Sequence, residues 1–233
     1  MIDYILYIFC LAAIVLSIIA QIKVSSTFNK YSATLTGRGH TAAEAARYIL
    51  NSHGLSHVRI ERVAGNLTDH YDPRAEVLRL SDSVYDSCSA SAVGVAAHEA
   101  GHAIQHAERY APIVIRQRLA PVTGFASRFS WLIIMLGIIF MALDALLGYY
   151  ILIAGAVLFA VTTLFQLVTL PCEFNASSRA MSELRRTGWY SAGELSASRK
   201  VLTAAAMTYV TATLVSVLQL LRIVVRLLGS RRR

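Results

Sequence analysis

Polar and apolar positions alternate along this chain on two scales. The coarse scale is a series of long apolar runs. Tyr4–Ala20 is apolar and ends at Gln21 and Lys23. Between Trp131 and Cys172 the only charged residue is Asp144, and Val201–Leu221 carries no charge. A bilayer core about 30 Å thick takes roughly 20 helical residues at about 1.5 Å each. The first run therefore predicts one span. The middle run is too long for one and predicts two, joined near Asp144–Gly148. The last run predicts a fourth. A cleaved signal peptide fits Tyr4–Ala20 poorly, because no Lys or Arg precedes it and no small-x-small site follows.

The fine scale lies in the polar regions. "HTAAEAARYILNSHGL" predicts a compact helix, with Thr41 as N-cap, Glu44 three residues on completing a capping box, and Gly54 as the stop. In "HVRIERVAG", Val58, Ile60 and Val63 alternate with charged residues, the pattern of a half-buried strand. Gly65-Asn66 turns the chain. "LTDHYD" predicts a second strand and "AEVLRLS" a third, with Asp72-Pro73 between them. A helix follows from about Ser89 to Glu108, and Pro112 and Pro121 punctuate the return to apolar sequence.

Composition agrees with the runs. Hydrophobic residues make up 55% and charged residues 15% of 233, against about 25% charged in ordinary soluble domains. Cys10, Cys88 and Cys172 are far apart and form no CxxC. They predict neither a disulfide framework nor a thiolate metal site, and fit a reducing compartment. The net charge of +8 is spread along the chain rather than gathered on an aromatic platform, so nucleic acid is not an expected partner. In a membrane protein, Lys and Arg report sidedness instead. None precedes the first run or lies near Asp144. Lys23, Lys30, Arg38, Arg116, Arg118 and Arg128 fall between the first two predicted spans, and Arg179, Arg185, Arg186, Arg199 and Lys200 follow the third. The expectation is a multi-pass membrane protein, N-terminus outside, with both polar regions in the cytoplasm.

The chemistry is concentrated in "GVAAHEAGHAIQH", Gly94–His106. His98, Glu99 and His102 spell H-E-x-x-H. Residues four apart lie one turn apart, about 40° around a helix, so two imidazoles can converge on one ion about 2.0–2.1 Å from each nitrogen. Glu99, beside the first histidine, can reach water at that ion, as a general base does in metal-assisted hydrolysis. The competing reading is a chance match on a polar helix face. The apolar "AVGVAA" leading into the motif argues against it, since burying this triplet without a partner is costly. His106 lies about 80° from His98, and Ile104 and Glu108 stand where a metzincin pattern needs Gly and His. The third ligand must therefore come from elsewhere. Glu173, just after Pro171, is the leading candidate, placed on the same side as His98 by the charge distribution. Pro at a helix start with Glu in the first turn is also ordinary helix grammar. Glu183 and Glu194 sit in more solvated sequence.

The stretches "LTDHYDPRAEVLRLS", "AAHEAGHAIQH" and "FQLVTLPCEFNAS", in this order, resemble the YugP-type bacterial membrane zinc metallopeptidases. The resemblance covers nearly the whole chain, including "AAAMTYVTA". The chain is more distantly similar to the HtpX-type peptidases, whose later E-x-x-A-D element corresponds to Glu173–Ser177. Ser177 replaces the Asp, so that carboxylate cannot be carried over. The resemblance implies a gluzincin holding one zinc ion per chain on His98, His102 and Glu173, with Glu99 as catalyst. The expected fold is an α+β membrane protein, mainly helical. It has about four transmembrane helices and a small gluzincin-like domain with a three-stranded sheet and the HExxH helix. The expected divisions are residues 1–22 (first span), 23–128 (catalytic domain), 129–170 (transmembrane hairpin), 171–200 (third-ligand helix) and 201–233 (last span and basic tail).

The activity expected is hydrolysis of peptide bonds in a peptide or membrane-protein substrate beside the lipid bilayer. An extended substrate could pair with the edge of "LTDHYD", bringing Asp69, His70 and Tyr71 near the metal, and Tyr209 could help stabilise an oxyanion. A polar hairpin and a packed tyrosine are the simpler readings of these residues. One rival is an inactive membrane scaffold or metal-binding subunit. Another is an intramembrane protease with Asp144 as third ligand, which "SCSAS" and "QHAER" around the motif oppose, since they leave no apolar 18-residue stretch there. Oligomeric and regulatory partners have no signature in the sequence.

One conflict remains in the charge pattern. Four spans put the C-terminus outside, yet it carries Arg222, Arg226, Arg231, Arg232 and Arg233. Thr208, Thr211, Gln219, Arg222 and Arg226 share one side of the helical wheel, a stripe that could lie on the headgroups instead. The length and lack of charge of Val201–Leu221 favour crossing. Labelling intact cells that carry single cysteines at positions 56, 185 or 232, without Cys10, Cys88 and Cys172, should modify position 232 alone from outside. Labelling at none of them means three spans, and labelling at 56 or 185 overturns a cytoplasmic site.

Overall fold

A computed structural model of the chain describes residues 2–143 and 145–230. The elements in chain order are α1 (Ile2–Ser32), α2 (Ala42–Ser52), β1 (Arg59–Val63), β2 (His70–Asp72), β3 (Val77–Ser81), α3 (Ala90–Ala107), α4 (Ala111–Leu143), α5 (Ala145–Thr187) and α6 (Ala192–Ser230). The protein is thus mainly helical with one small sheet, an α+β membrane protein.

Local sequence accounts for the small elements. The capping box at α2 is formed: Glu44 N–H donates to Thr41 Oγ1 at 3.2 Å, and Thr41 N–H to the Glu44 carboxylate at 2.8 Å. Gly54 ends the helix with φ of 72°, a left-handed conformation that costs glycine little. The sheet has the order β1-β3-β2, with β3 parallel to β1 and antiparallel to β2. The second strand is shorter than the sequence suggests, because Leu67 takes φ of 55° and Asp69 turns back to receive the Ser81 N–H at 2.7 Å. Asp72 closes the β2–β3 hairpin by accepting from the Arg74 and Ala75 N–H groups and pairing with Arg79 at 2.9 Å.

The chain forms two compact units. One comprises Ala20–Ile113 and Pro171–Thr208, and holds the sheet, α2 and α3. Its core gathers Ile49, Leu50, Val58, Leu78, Leu80, Ile104 and Leu184 around an alanine-rich α3, in which Ala92, Ala96, Ala97 and Ala100 are fully buried. Small side chains let neighbours come close. Ser198 of α6 donates to the Ala90 carbonyl at 2.7 Å. A Cβ placed on Gly94 would lie 3.3 Å from Ser198 Cα.

The other unit contains residues up to Ile19, Val114–Leu170 and those from Tyr209. Ile134, Leu152, Ala156 and Ile223 form its core, while Phe125, Trp131, Leu132, Met135 and Ile139 are exposed, as expected of a face against lipid. Inside it Thr163 and Ser216 hydrogen-bond at 2.9 Å, and Arg222 lies over the Tyr7 ring, 4.9 Å from its centroid. Among the described residues, Tyr4–Ser32, Ala111–Leu143, Leu146–Thr187 and Ala192–Gly229 are the four helices long and apolar enough to cross a membrane. Neither proline breaks its helix: Pro121, expected as punctuation, lies inside α4, and Pro171, expected at a helix start, lies inside α5. Asp144, considered above as a metal ligand, and Arg231–Arg233 lie outside the described residues.

The close α3–α6 contact generates a prediction. Gly94→Val should lower the melting temperature of the detergent-solubilised protein by an amount equivalent to about 1–3 kcal/mol, the usual range for overpacking. Gly124→Ala should be neutral or slightly stabilising, because nothing lies within 4 Å of the added Cβ.

Candidate metal centre

α3 is fixed at its start. Ser89 caps it, accepting the Ala92 N–H at 3.2 Å, and the Ala90 N–H reaches the Thr34 carbonyl at 2.9 Å. The alanine face turns to the core, which leaves His98 and His102 to face α5. On α5, Glu173, Ala176, Ser177 and Ala180 follow the i, i+3, i+4, i+7 spacing of a single helix face. Glu173, Ala176 and Ala180 are buried. The two helices meet where side chains are smallest: a Cβ on Gly101 would be 2.8 Å from the Ala176 carbonyl oxygen.

That approach brings three donors together. Glu173 Oε2 lies 3.3 Å from His98 Nε2 and 3.7 Å from His102 Nε2. Its side chain is 2% exposed, against 14% for His98 and 11% for His102. One donor atom from each residue lies within 4.8 Å of the others, the sole such grouping of three among the described residues. The imidazole planes stand edge to face, 4.7 Å between centroids.

The remaining ring nitrogens are also engaged. His98 Nδ1 is 3.1 Å from Ser177 Oγ. His102 Nδ1 is 2.9 Å from Gln105 Oε1. The hydroxyl of Ser177 thus occupies the place where the carboxylate expected from the more distant resemblance is missing. Glu99 is oriented from the sheet: its Oε2 accepts the backbone N–H of Tyr71 at 3.0 Å. β2 is an edge strand, so the Glu99 carboxylate sits at the open side of the sheet.

Around this group the other candidates separate. The Tyr71 hydroxyl lies 3.3 Å from His106 Nδ1. Burial, followed by the charges of Glu76 and Asp72, pushes that phenol up to about 12, so it stays protonated at neutral pH. His106 is therefore a partner of Tyr71 and lies outside the donor group. His70 is exposed, on the opposite strand face, with Nδ1 turned to the Thr68 carbonyl at 2.9 Å. Asp69 is held by the Ser81 N–H and hydroxyl, and burial raises its pKa despite those bonds, with the nearby Glu99 charge adding to the rise. Glu183 is occupied by His53 and Arg186, and Glu194 by the Gly37 and Ser191 N–H groups. Tyr209 belongs to the other compact unit.

The donors fit a divalent ion such as zinc. Two imidazoles and one carboxylate form a set that zinc takes with a fourth position left open. A buried carboxylate aimed at two imidazoles has its charge compensated by such an ion. The polar partners Gln105 and Ser177 went unread in the sequence as supports of the histidines. The signal was present, since Gln105 is three residues from His102 and Ser177 four from Glu173, on shared helix faces.

Over residues 6–228 the chain matches a family described as "Putative neutral zinc metallopeptidase". "Putative membrane protease YugP" of Bacillus subtilis (strain 168) is 47% identical over 221 residues, covering 95% of this chain and 96% of that protein. No solved structure matches significantly.

Because the donor triangle rests on the contact at Gly101, Gly101→Val should separate α5 from α3. Equilibrium dialysis against zinc should show a large loss of bound metal. The helix content of the protein, followed by circular dichroism, should be retained.

Proposed function

This chain belongs to the family described as "putative neutral zinc metallopeptidase", and from that membership we propose that it is a membrane-anchored zinc endopeptidase of gluzincin type. The observation that carries the reading is the convergence of the HExxH histidines with a buried glutamate from a distant part of the chain. His98, His102 and Glu173 hold one zinc ion per chain. When bound, zinc supplies Lewis-acid polarisation of the scissile carbonyl and makes water more acidic. Glu99, held by the Tyr71 N–H, removes the proton from the attacking water and returns it to the leaving amine.

An extended peptide pairs with the outer edge of β2, where main-chain groups give affinity in a sequence-tolerant way. Tyr71 is the proposed substrate-side residue of this edge. The His70 ring is turned to the Thr68 carbonyl of its own loop, away from this role. The substrate is a peptide or membrane protein, and the charge pattern supports a site on the cytoplasmic side of a bacterial plasma membrane. The intramembrane alternative loses support, because α3 is not one of the four helices apolar enough to cross among the described residues.

Metal analysis of the purified chain should give one zinc per protein, lost in His98→Ala, His102→Ala and Glu173→Ala. Glu99→Gln should keep the zinc and lower casein or peptide turnover by about 10²–10⁴-fold, the range for a general base. Undiminished turnover in Glu99→Gln would refute the mechanism. Zinc without turnover in the wild type would favour the inactive scaffold.

A further inference from the structure

Gln105 is completely buried, one turn beyond His102 on α3. Three of the four hydrogen-bonding sites of its amide are engaged by named partners. Oε1 lies 2.9 Å from His102 Nδ1. Nε2 donates to the Cys172 carbonyl at 2.8 Å and to Asn175 Oδ1 at 2.9 Å. A backbone carbonyl can only accept, so the amide nitrogen must face Cys172 and the amide oxygen must face His102. Asn175 is oriented in turn, because its Oδ1 also accepts from Arg179 Nε at 2.7 Å. Arg179 is anchored at its far end by Glu108, 2.6 Å away.

The geometry points to Gln105 as a positioning residue that selects the tautomer of His102. An amide oxygen at Nδ1 requires a proton on Nδ1, which in the neutral ring leaves the lone pair on Nε2, the nitrogen that faces Glu173. The same side chain bonds α5 one residue before Glu173 and two residues after it. Gln105 therefore sets the orientation of one proposed ligand while tying down the segment that carries another. Partners of this kind commonly change metal affinity by about 10–100-fold when removed. His98 lacks an equivalent selector, because the Ser177 hydroxyl can donate or accept.

This inference rests on the zinc reading, and its test separates the two. The full chain in detergent, labelled with ¹⁵N-histidine and free of metal, should show His102 with its proton on Nδ1 by NMR. In chelator competition, Gln105→Met should bind zinc about 10–100-fold more weakly than wild type. Gln105→Glu, which keeps an oxygen acceptor at Nδ1 but gives up the amide donors to Cys172 and Asn175, should recover part of that loss. A merely structural role would lower the melting temperature of both variants and leave the zinc affinity of the folded protein unchanged. His102 without a proton on Nδ1 in the wild type, or wild-type zinc affinity in Gln105→Met, overturns the inference and leaves the peptidase reading standing. A wild-type chain that takes up no zinc overturns the peptidase reading, and with it this one.

Discussion

The centre depends on a carboxylate being held almost without solvent between two imidazoles. Glu173 is buried to 2% exposure, and its oxygen is within 3.7 Å of both His98 and His102. An ionised carboxylate tolerates such a place only with compensating charge and hydrogen bonds. Two helices must come close enough to supply them. The contact of Gly101 with the Ala176 carbonyl meets that demand, since a larger residue there would displace α5. The alanines of α3 follow from the same need, because a helix pressed between a sheet, α2, α5 and α6 has little room for side chains.

The polar groups around the centre form a graded system. His102 is held by an amide that spans from α3 to α5, His98 by a hydroxyl, and Glu99 by a backbone N–H of the sheet edge. Each partner is neutral. Neutral partners fix orientation without adding charge beside a buried glutamate, where further negative charge would be repelled. Charge enters farther out, in the Arg179–Glu108 pair and in Asp72–Arg79. There Arg79, with two backbone N–H groups, lowers the Asp72 pKa to about 2. Because that value lies below the ordinary 3.8, the hairpin gains stability from the ionised form above about pH 4 and loses it as pH falls towards 2.

Much of the architecture was legible in sequence. Apolar length predicted four long helices, and the capping box of Thr41 and Glu44 formed as spacing required. The H-E-x-x-H spacing placed His98 and His102 on one face, because four residues make one turn. Boundaries that depend on packing were not legible. Pro171 reads as a helix start, since it lacks an N–H and restricts the residue before it. α5 nevertheless runs through it, with Cys172, Glu173 and Ala176 buried on one side of the same helix. Burial there outweighs the local preference of proline.

By itself, then, the sequence determined what local rules control: apolar lengths, helix caps, the hairpin turn and the pair of histidines one turn apart. Glu173, 71 residues beyond His102, could only be nominated, since no periodicity links residues so far apart. Tertiary structure decided that it meets the histidines, that Ser177 and Gln105 support them and that His106 turns to Tyr71 instead. The physical reason is that these relations belong to the α3–α5 and α3–β2 contacts. Such contacts depend on which small residues let the backbones approach, and that appears only once the helices are packed.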